Sequence, residues 1–218
     1  EDNPGGEPEL IGKSVDGTND HEKLHGLFDP SSVYPLFANA LRNEYGQSIE
    51  EHMQDTGELF ENFSKVASKN KYAWFPTHRS AEEIAEVKPE NRMIGLPYTK
   101  YMNSIMRVNQ SCAIVMMSAK KARDLGIPES KWIFMYSGSC INDIWNVSDR
   151  INYHSSPAIK SCTDSVFELA NISVDQVDFI DLYSCFPSAV QVAMKELSLN
   201  KDDPRGLTVT GGLPYFGG

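Results

Sequence analysis

Positive charge is in short supply in this chain of 218 residues, where 20 lysines and arginines face 30 aspartates and glutamates and the formal net charge is −10. With so little basic character there is no field to neutralise phosphates, which argues against nucleic acid as a partner. Long apolar runs are lacking too. The longest fall far short of the roughly 20 residues that cross a bilayer as a helix, so no membrane span is expected. Residues 1–10, EDNPGGEPEL, are acidic and rich in Gly and Pro and carry no signal-peptide pattern. Only four cysteines occur, Cys112, Cys140, Cys162 and Cys185, without C-x-x-C or His-interleaved spacing. That disfavours a zinc site and a dense disulfide framework, and no metal is expected. These absences describe a soluble intracellular protein with reduced thiols, cytoplasmic or, in a eukaryote, in an organellar matrix.

What is present is enough apolar content, 40%, for a real core. Residues 1–30 read as an irregular lead-in, because Gly, Pro and Asp outnumber apolar residues over the first twenty and no period appears. From Ser31 the pattern turns helical after the N-cap candidates Ser31 and Ser32, with Val33, Leu36, Phe37, Ala40 and Leu41 on one face and Gly46 as the stop. Ser48-x-x-Glu51 is a capping-box pattern opening a helix to about residue 70, with Met53, Leu59, Phe60, Phe63, Val66 and Ala67 inward. A third, short helix fits residues 80–87, again after Ser-x-x-Glu. Up to about residue 95 the chain therefore reads as helical and polar rather than as sheet.

After Pro97 the character changes. Residues 111–118 and 132–136 are apolar runs of strand length, and a helix over residues 119–125 separates them. A helix opening at Ser156-Pro157 then places Ile159, Cys162, Val166, Leu169 and Ala170 on one stripe. Residues 177–182 form another apolar strand, which breaks at Tyr183-Ser184-Cys185-Phe186, and a helix from Ser188 follows. The β-prone residues 207–210 then open into a loop with four glycines. The alternation implies an α/β fold whose sheet is covered on both faces. In such folds ligands bind at the carboxyl ends of strands, which is where Tyr183–Phe186 and the glycine loop stand.

Four tracts, in order, are similar to thiolase motifs. CAIVMMSAKKARDLGIPESKWIFMYSG resembles the strand–helix–strand passage that joins the two thiolase halves. His154-Ser-Ser-Pro-Ala-Ile-Lys160 resembles the segment written G-P-V-P-A-I-R. Tyr183-Ser184-Cys185-Phe186 occupies the place of Asn-Glu-Ala-Phe, written His-Asp-Cys-Phe in sterol-carrier-type thiolases, and Gly211–Gly218 resembles N-G-G-A-I-A-L-G-H. The chain is identified as a member of the thiolase superfamily, similar to a middle portion covering roughly half of a subunit. The resemblance implies the layered αβαβα fold. Residues 1–30 would be a lead-in from the N-terminal half, residues 31–105 a helical loop domain covering coenzyme A, residues 106–128 the last strand and helix of the N-terminal half, and residues 129–218 the first part of the C-terminal half.

The resemblance also implies function. The substrate would be an acyl-CoA thioester, with coenzyme A a substrate and no permanently bound cofactor, and the protein would transfer the acyl group or make or break the adjacent carbon–carbon bond. It places coenzyme A contacts at Ser104, Phe186, Gly217 and Gly218, and catalytic roles at Tyr183 and Cys185. The family's nucleophilic cysteine has no counterpart in this chain, and Gly218 stands where the Gly-His-Pro histidine would be. Tyr183 then suggests an alternative, retro-aldol cleavage of a β-hydroxyacyl-CoA, with a small oligonucleotide-binding-type subunit as partner. A further alternative is a noncatalytic CoA-binding or scaffold subunit. A homodimer is implied by family habit. Cys185 reads either as facing the acyl group or as a small buried hydrophobe. Strand segments left without neighbours imply poor stability for residues 1–218 expressed alone, and a cooperative melt of that species would contradict this.

Overall fold

The computed structural model describes residues 6, 9, 11 and 16–218, so most of the expected lead-in before residue 16 lies outside the described residues. Within that lead-in a short helix does form. α1 (Asp20–Leu24) is held by a reciprocal capping box between Asn19 and Glu22, and the buried Glu22 carboxylate also accepts the Ser148 N–H at 2.7 Å. α2 (Pro30–Glu44) starts two residues earlier than an N-cap at Ser31 would place it. Asp29 caps it, accepting from the Ser31 N–H, and Pro30 fills the first turn, where a missing N–H costs nothing. α3 (Ile49–Ala67) opens on the expected box of Ser48 and Glu51. α4 (Ala81–Ala85) is capped by Ser80.

The core forms on one face of α3. Leu59, Phe60, Phe63 and Ala67 pack with Ala38 of α2, Ile84 of α4, Tyr98 and Met102, and then with Ile180, Cys185, Phe186, Val190, Leu207 and Tyr215. Phe60 and Phe63 stack at 5.1 Å, and Tyr215 meets Phe60 edge-on at 6.4 Å. Each such side chain removed from water contributes about 1.5–3 kcal/mol, so this face of α3 dominates the packing.

A hairpin appears where only helix was expected. β1 (Met93–Gly95) pairs antiparallel with β2 (Tyr98–Thr99) across Leu96-Pro97. Asn91 anchors it: the buried side-chain amide donates to the carbonyls of Glu83, Ile84 and Glu86, and its oxygen accepts the Tyr101 N–H. Together with the Thr99 hydroxyl, which also donates to the Ile84 carbonyl at 2.7 Å, this side chain satisfies carbonyls at the C-terminal end of α4.

The longer expected strands take no ladder hydrogen bonds among the described residues, whose sheet has only two strands. Ile114, Val115 and Met116 are exposed, as are Ile133, Phe134, Met135 and Tyr136. The physical reason is that a strand is completed by its neighbour, and among the described residues no segment pairs with these runs. Residues 177–182 and 207–210 do meet, through Leu182 N–H to Leu207 C=O at 3.0 Å. The Asp181 carboxylate adds bonds from the Thr208 hydroxyl and the Val209 N–H, both at 3.0 Å.

The remaining helices follow the sequence. α5 (Ala119–Asp124) is capped by Ser118, α6 (Pro157–Ala170) by Ser156 with Pro157 in its first turn, and α7 (Pro187–Leu197) ends on Ser198 in the left-handed region. The apolar stripe of α6 is only half covered: no residue of α6 is buried, and Leu169 is exposed. No helix among the described residues is long and apolar enough to cross a membrane.

His52, on the buried face of α3, faces Gln47 Oε1 through Nδ1 at 2.9 Å and leaves Nε2 without a partner. Burial, aided by Arg42 and opposed by Asp55, lowers its pKa from 6.5 to about 4. Between these values the unfolded chain binds the proton and the native chain does not, so stability falls as pH drops from about 6.5 to about 4 and levels below that, by at most about 3 kcal/mol. His52→Gln should flatten that part of the pH–stability curve measured by urea denaturation.

Candidate functional site

The apolar segment ending at Leu182 delivers a four-residue loop in which neighbouring side chains have opposite surroundings. Tyr183 is 68% exposed, whereas Ser184, Cys185 and Phe186 are buried. The Ser184 hydroxyl accepts the Leu213 N–H at 3.0 Å and so ties this loop to the glycine-rich return. The Cys185 carbonyl accepts the Ser104 N–H at 3.3 Å, the Leu213 carbonyl accepts from Ile105 N–H at 3.2 Å, and Gly218 N–H donates to the Ile105 carbonyl at 3.2 Å. Residues 104–105 therefore sit between the two loops and bind both through main-chain atoms.

The return loop needs its glycines. Gly211 and Gly212 have φ of 108° and 73°, where side chains are strained. A Cβ at Gly211 would collide with Ala67 of α3, and one at Gly212 would lie 2.5 Å from the Phe63 ring and 2.7 Å from the Ser184 Oγ. Thr208 and Thr210 cap the turn, their hydroxyls accepting the N–H groups of Gly211 at 3.1 Å and Gly212 at 3.2 Å. Gly217, at φ 100°, packs its backbone against Val108 and Trp74. The carbonyls of Tyr215 and Phe216 accept from Phe75 and Trp74 N–H.

Two cavities border this frame, and Tyr183 lines both. The smaller, about 310 Å³, lies between the loops and is walled by Asp181, Tyr183, Ser184, Gly212, Gly217 and Gly218. The other, about 530 Å³, lies between α2, α6, α7 and residues 141–156, with Tyr34, Phe37, Val147, Ile159 and Val192 among its apolar lining. A third, about 770 Å³, between the end of α3 and residues 201–209, touches neither loop.

Chemically, the loop is a cluster of hydroxyls around one thiol. Burial pushes the Cys185 thiol up, while hydrogen bonding from Tyr34, the Phe186 N–H and Tyr183 pulls the other way. Burial first, then Cys185, raises the Tyr34 and Tyr183 phenols, so both hold their protons at neutral pH. The Tyr34 ring stacks on Phe186 at 4.2 Å. α7 begins directly after this loop without a side-chain cap. Its Ser188 N–H donates to the buried Tyr98 hydroxyl at 3.3 Å, and the Ser188 hydroxyl has no partner.

The structure thus brings Tyr183, Cys185, Phe186, Gly217 and Gly218 together and adds Ser104 through its backbone. It does not bring in His154, which lies against Lys195 at 3.2 Å and Glu44 at 3.8 Å and lines neither cavity at Tyr183. Sequence reasoning missed Tyr34, Tyr98 and Ser184. Tyr34 lies on α2, whose period marks its neighbours as core, and only a tertiary contact puts it on Phe186. Among the described residues no group of three or more His, Cys, Asp or Glu could hold a metal, and the four cysteines are free.

No family model matches the chain. It is 26% identical over 188 residues to an acetyl-CoA acetyltransferase of Methanocaldococcus jannaschii, covering 86% of this chain and 45% of that protein. A solved structure, a monomeric SCP2-thiolase-like protein type 1 from Mycobacterium smegmatis, superposes with a TM-score of 0.83 at 42% identity, covering 88% of this chain and 43% of that one. The Ltp2–ChsH2(DUF35) aldolase superposes at 0.66 and 17% identity, covering 89% of this chain and 53% of that one, a likeness of fold. The chain spans about half the length of these relatives.

Ser184→Ala should leave the Leu213 N–H unpaired in a buried place and cost about 1–3 kcal/mol, measured by chemical denaturation. Ser184→Thr, which keeps the acceptor, should lose less only if its added methyl fits beside Gly212.

Proposed function

We infer, for a chain that belongs to the thiolase superfamily and carries its α/β fold, that it binds an acyl-CoA thioester and transfers the acyl group or makes or breaks the carbon–carbon bond beside it. One observation carries this reading. The Tyr183–Phe186 loop and the Gly211–Gly218 return are locked together around a cavity of about 310 Å³ with Tyr183, Ser184, Gly217 and Gly218 on its wall. A thioester in that cavity meets the main chain of Gly217 and Gly218 on its wall, and coenzyme A is its carrier. Residues 31–105 form the cover over that carrier, with Ser104 and Phe186 beside it.

Claisen-type chemistry develops negative charge on the thioester oxygen, and fixed donors at that oxygen lower the barrier. A protonated, exposed phenol at Tyr183 is such a donor. Cys185 is poorly suited to be the nucleophile, since a buried thiol with a raised pKa is little ionised at neutral pH.

The same contrast between Tyr183 and Cys185 favours a second reading, retro-aldol cleavage of a β-hydroxyacyl-CoA. The bond between the α- and β-carbons breaks, its electron pair becomes the thioester enolate, and the β-carbon becomes a carbonyl as the hydroxyl proton leaves. Tyr183 gives its proton to the enolate carbon and recovers one from the departing hydroxyl.

Calorimetry of the intact protein with acyl-CoA thioesters should give saturable binding, and its absence for every chain length would end the reading. Tyr183→Phe should lower turnover by about two to three orders of magnitude with thioester affinity little changed. Undiminished retro-aldol turnover in that variant would exclude the second reading.

A further inference from the structure

The cavity of about 530 Å³ lies within the size range of small-molecule sites and is apolar over most of its wall, yet an ion pair, Arg150 with Asp143, stands in it. Arg150 is largely covered, its side chain 20% exposed. Its Nε donates to the Ile144 carbonyl at 3.1 Å and its Nη1 to Asp143 Oδ2 at 3.3 Å, and Nη2 has no protein acceptor among the described residues. Asp143 is engaged elsewhere as well: Oδ2 also accepts the Ser156 hydroxyl at 2.7 Å and Oδ1 the Ile144 N–H at 2.9 Å. The pair therefore leaves the Nη2 end of the guanidinium as its main uncommitted, charge-assisted donor.

Its position relative to the candidate site follows from a row of aromatic faces. Phe186 stacks on Tyr34 at 4.2 Å, Tyr34 lies 5.8 Å from Phe37, and the Arg150 guanidinium carbon sits 5.4 Å from the Phe37 centroid. Two rings separate the loop from the guanidinium, and Tyr183 closes the near side of the same cavity. A ligand whose reacting carbonyl lies at Tyr183 would run its apolar body along Tyr34 and Phe37 and end at Arg150.

We propose that this cavity holds the acyl group and selects acyl groups bearing a neutral oxygen acceptor, a ketone or hydroxyl, remote from the thioester, which Arg150 Nη2 binds. This rests on the acyl-CoA reading above and adds the substrate class to it. A neutral acceptor is favoured over a carboxylate because Arg150 is already paired with Asp143, whose charge would repel a second anion. A plain alkyl chain would leave Nη2 unmet in a place where water is displaced, which costs free energy.

The test is calorimetry on the intact protein with three thioesters of equal chain length: 9-oxodecanoyl-CoA, decanoyl-CoA and the monothioester of decanedioic acid. The oxo compound should bind about tenfold more tightly than decanoyl-CoA, and the carboxylate no more tightly than decanoyl-CoA. Arg150→Met should bring the oxo compound down to the affinity of decanoyl-CoA. Ala193→Phe, which fills the cavity from α7, should weaken both acyl thioesters relative to free CoA and abolish their difference. If oxo and alkyl chains bind equally, if the carboxylate binds tightest, or if discrimination survives in either variant, the inference is overturned while the acyl-CoA reading stands. If no acyl-CoA binds at all, both fall.

Discussion

The arrangement depends on how closely the Gly211–Gly212 turn approaches α3. Two main-chain segments lie where side chains would collide, one on Ala67 and the other on Phe63 and Ser184. That contact seats the return loop on the core-forming face of α3, and the Ser184–Leu213 bond transfers the constraint to the neighbouring loop. Asn70 strengthens it from the end of α3, donating to the Thr210 carbonyl at 3.0 Å. The α3 face thus serves two ends, since the aromatic side chains that make the core are the surface against which the candidate site is positioned.

The polar groups of the site are therefore placed by apolar packing. Half-buried Tyr34 and buried Tyr98 and Cys185 form a cluster of hydroxyls and thiol, and burial favours the protonated form of all three. Tyr183, two residues before Cys185, is exposed, while the three residues that follow it are buried. A single break at the end of an apolar run thus yields an inert interior thiol and an accessible phenol one residue from a buried hydroxyl.

Local signals in the sequence were legible. Ser48 and Glu51 cap α3, Ser80 caps α4 and Ser156-Pro157 opens α6, because caps are decided by residues three or four apart. Asp29-Pro30 is a stronger start than the serines after it and outcompetes them for α2. Pairing of strands was not legible, since residues 111–118 and 132–136 have the composition of strands but no pairing partner among the described residues. The small hairpin at residues 93–99 escaped notice for the opposite reason, having too few residues to show a period. For the site, the Tyr183–Phe186 and Gly211–Gly218 tracts could be recognised from their order. The contributions of Tyr34, Tyr98 and Arg150 could not, because they reach the site from elements distant in sequence.

The bonds from Ser104, Ile105 and Gly218 that hold the two loops in register run from amide to carbonyl and use no side-chain atom. A scaffold joined in this way is indifferent to what its residues carry outward. Substitution at position 104 or 183 can alter the chemistry presented to a ligand without loosening the frame beneath it. Architecture and reactivity are then free to vary separately, and a family resemblance can persist after the reacting groups have been exchanged.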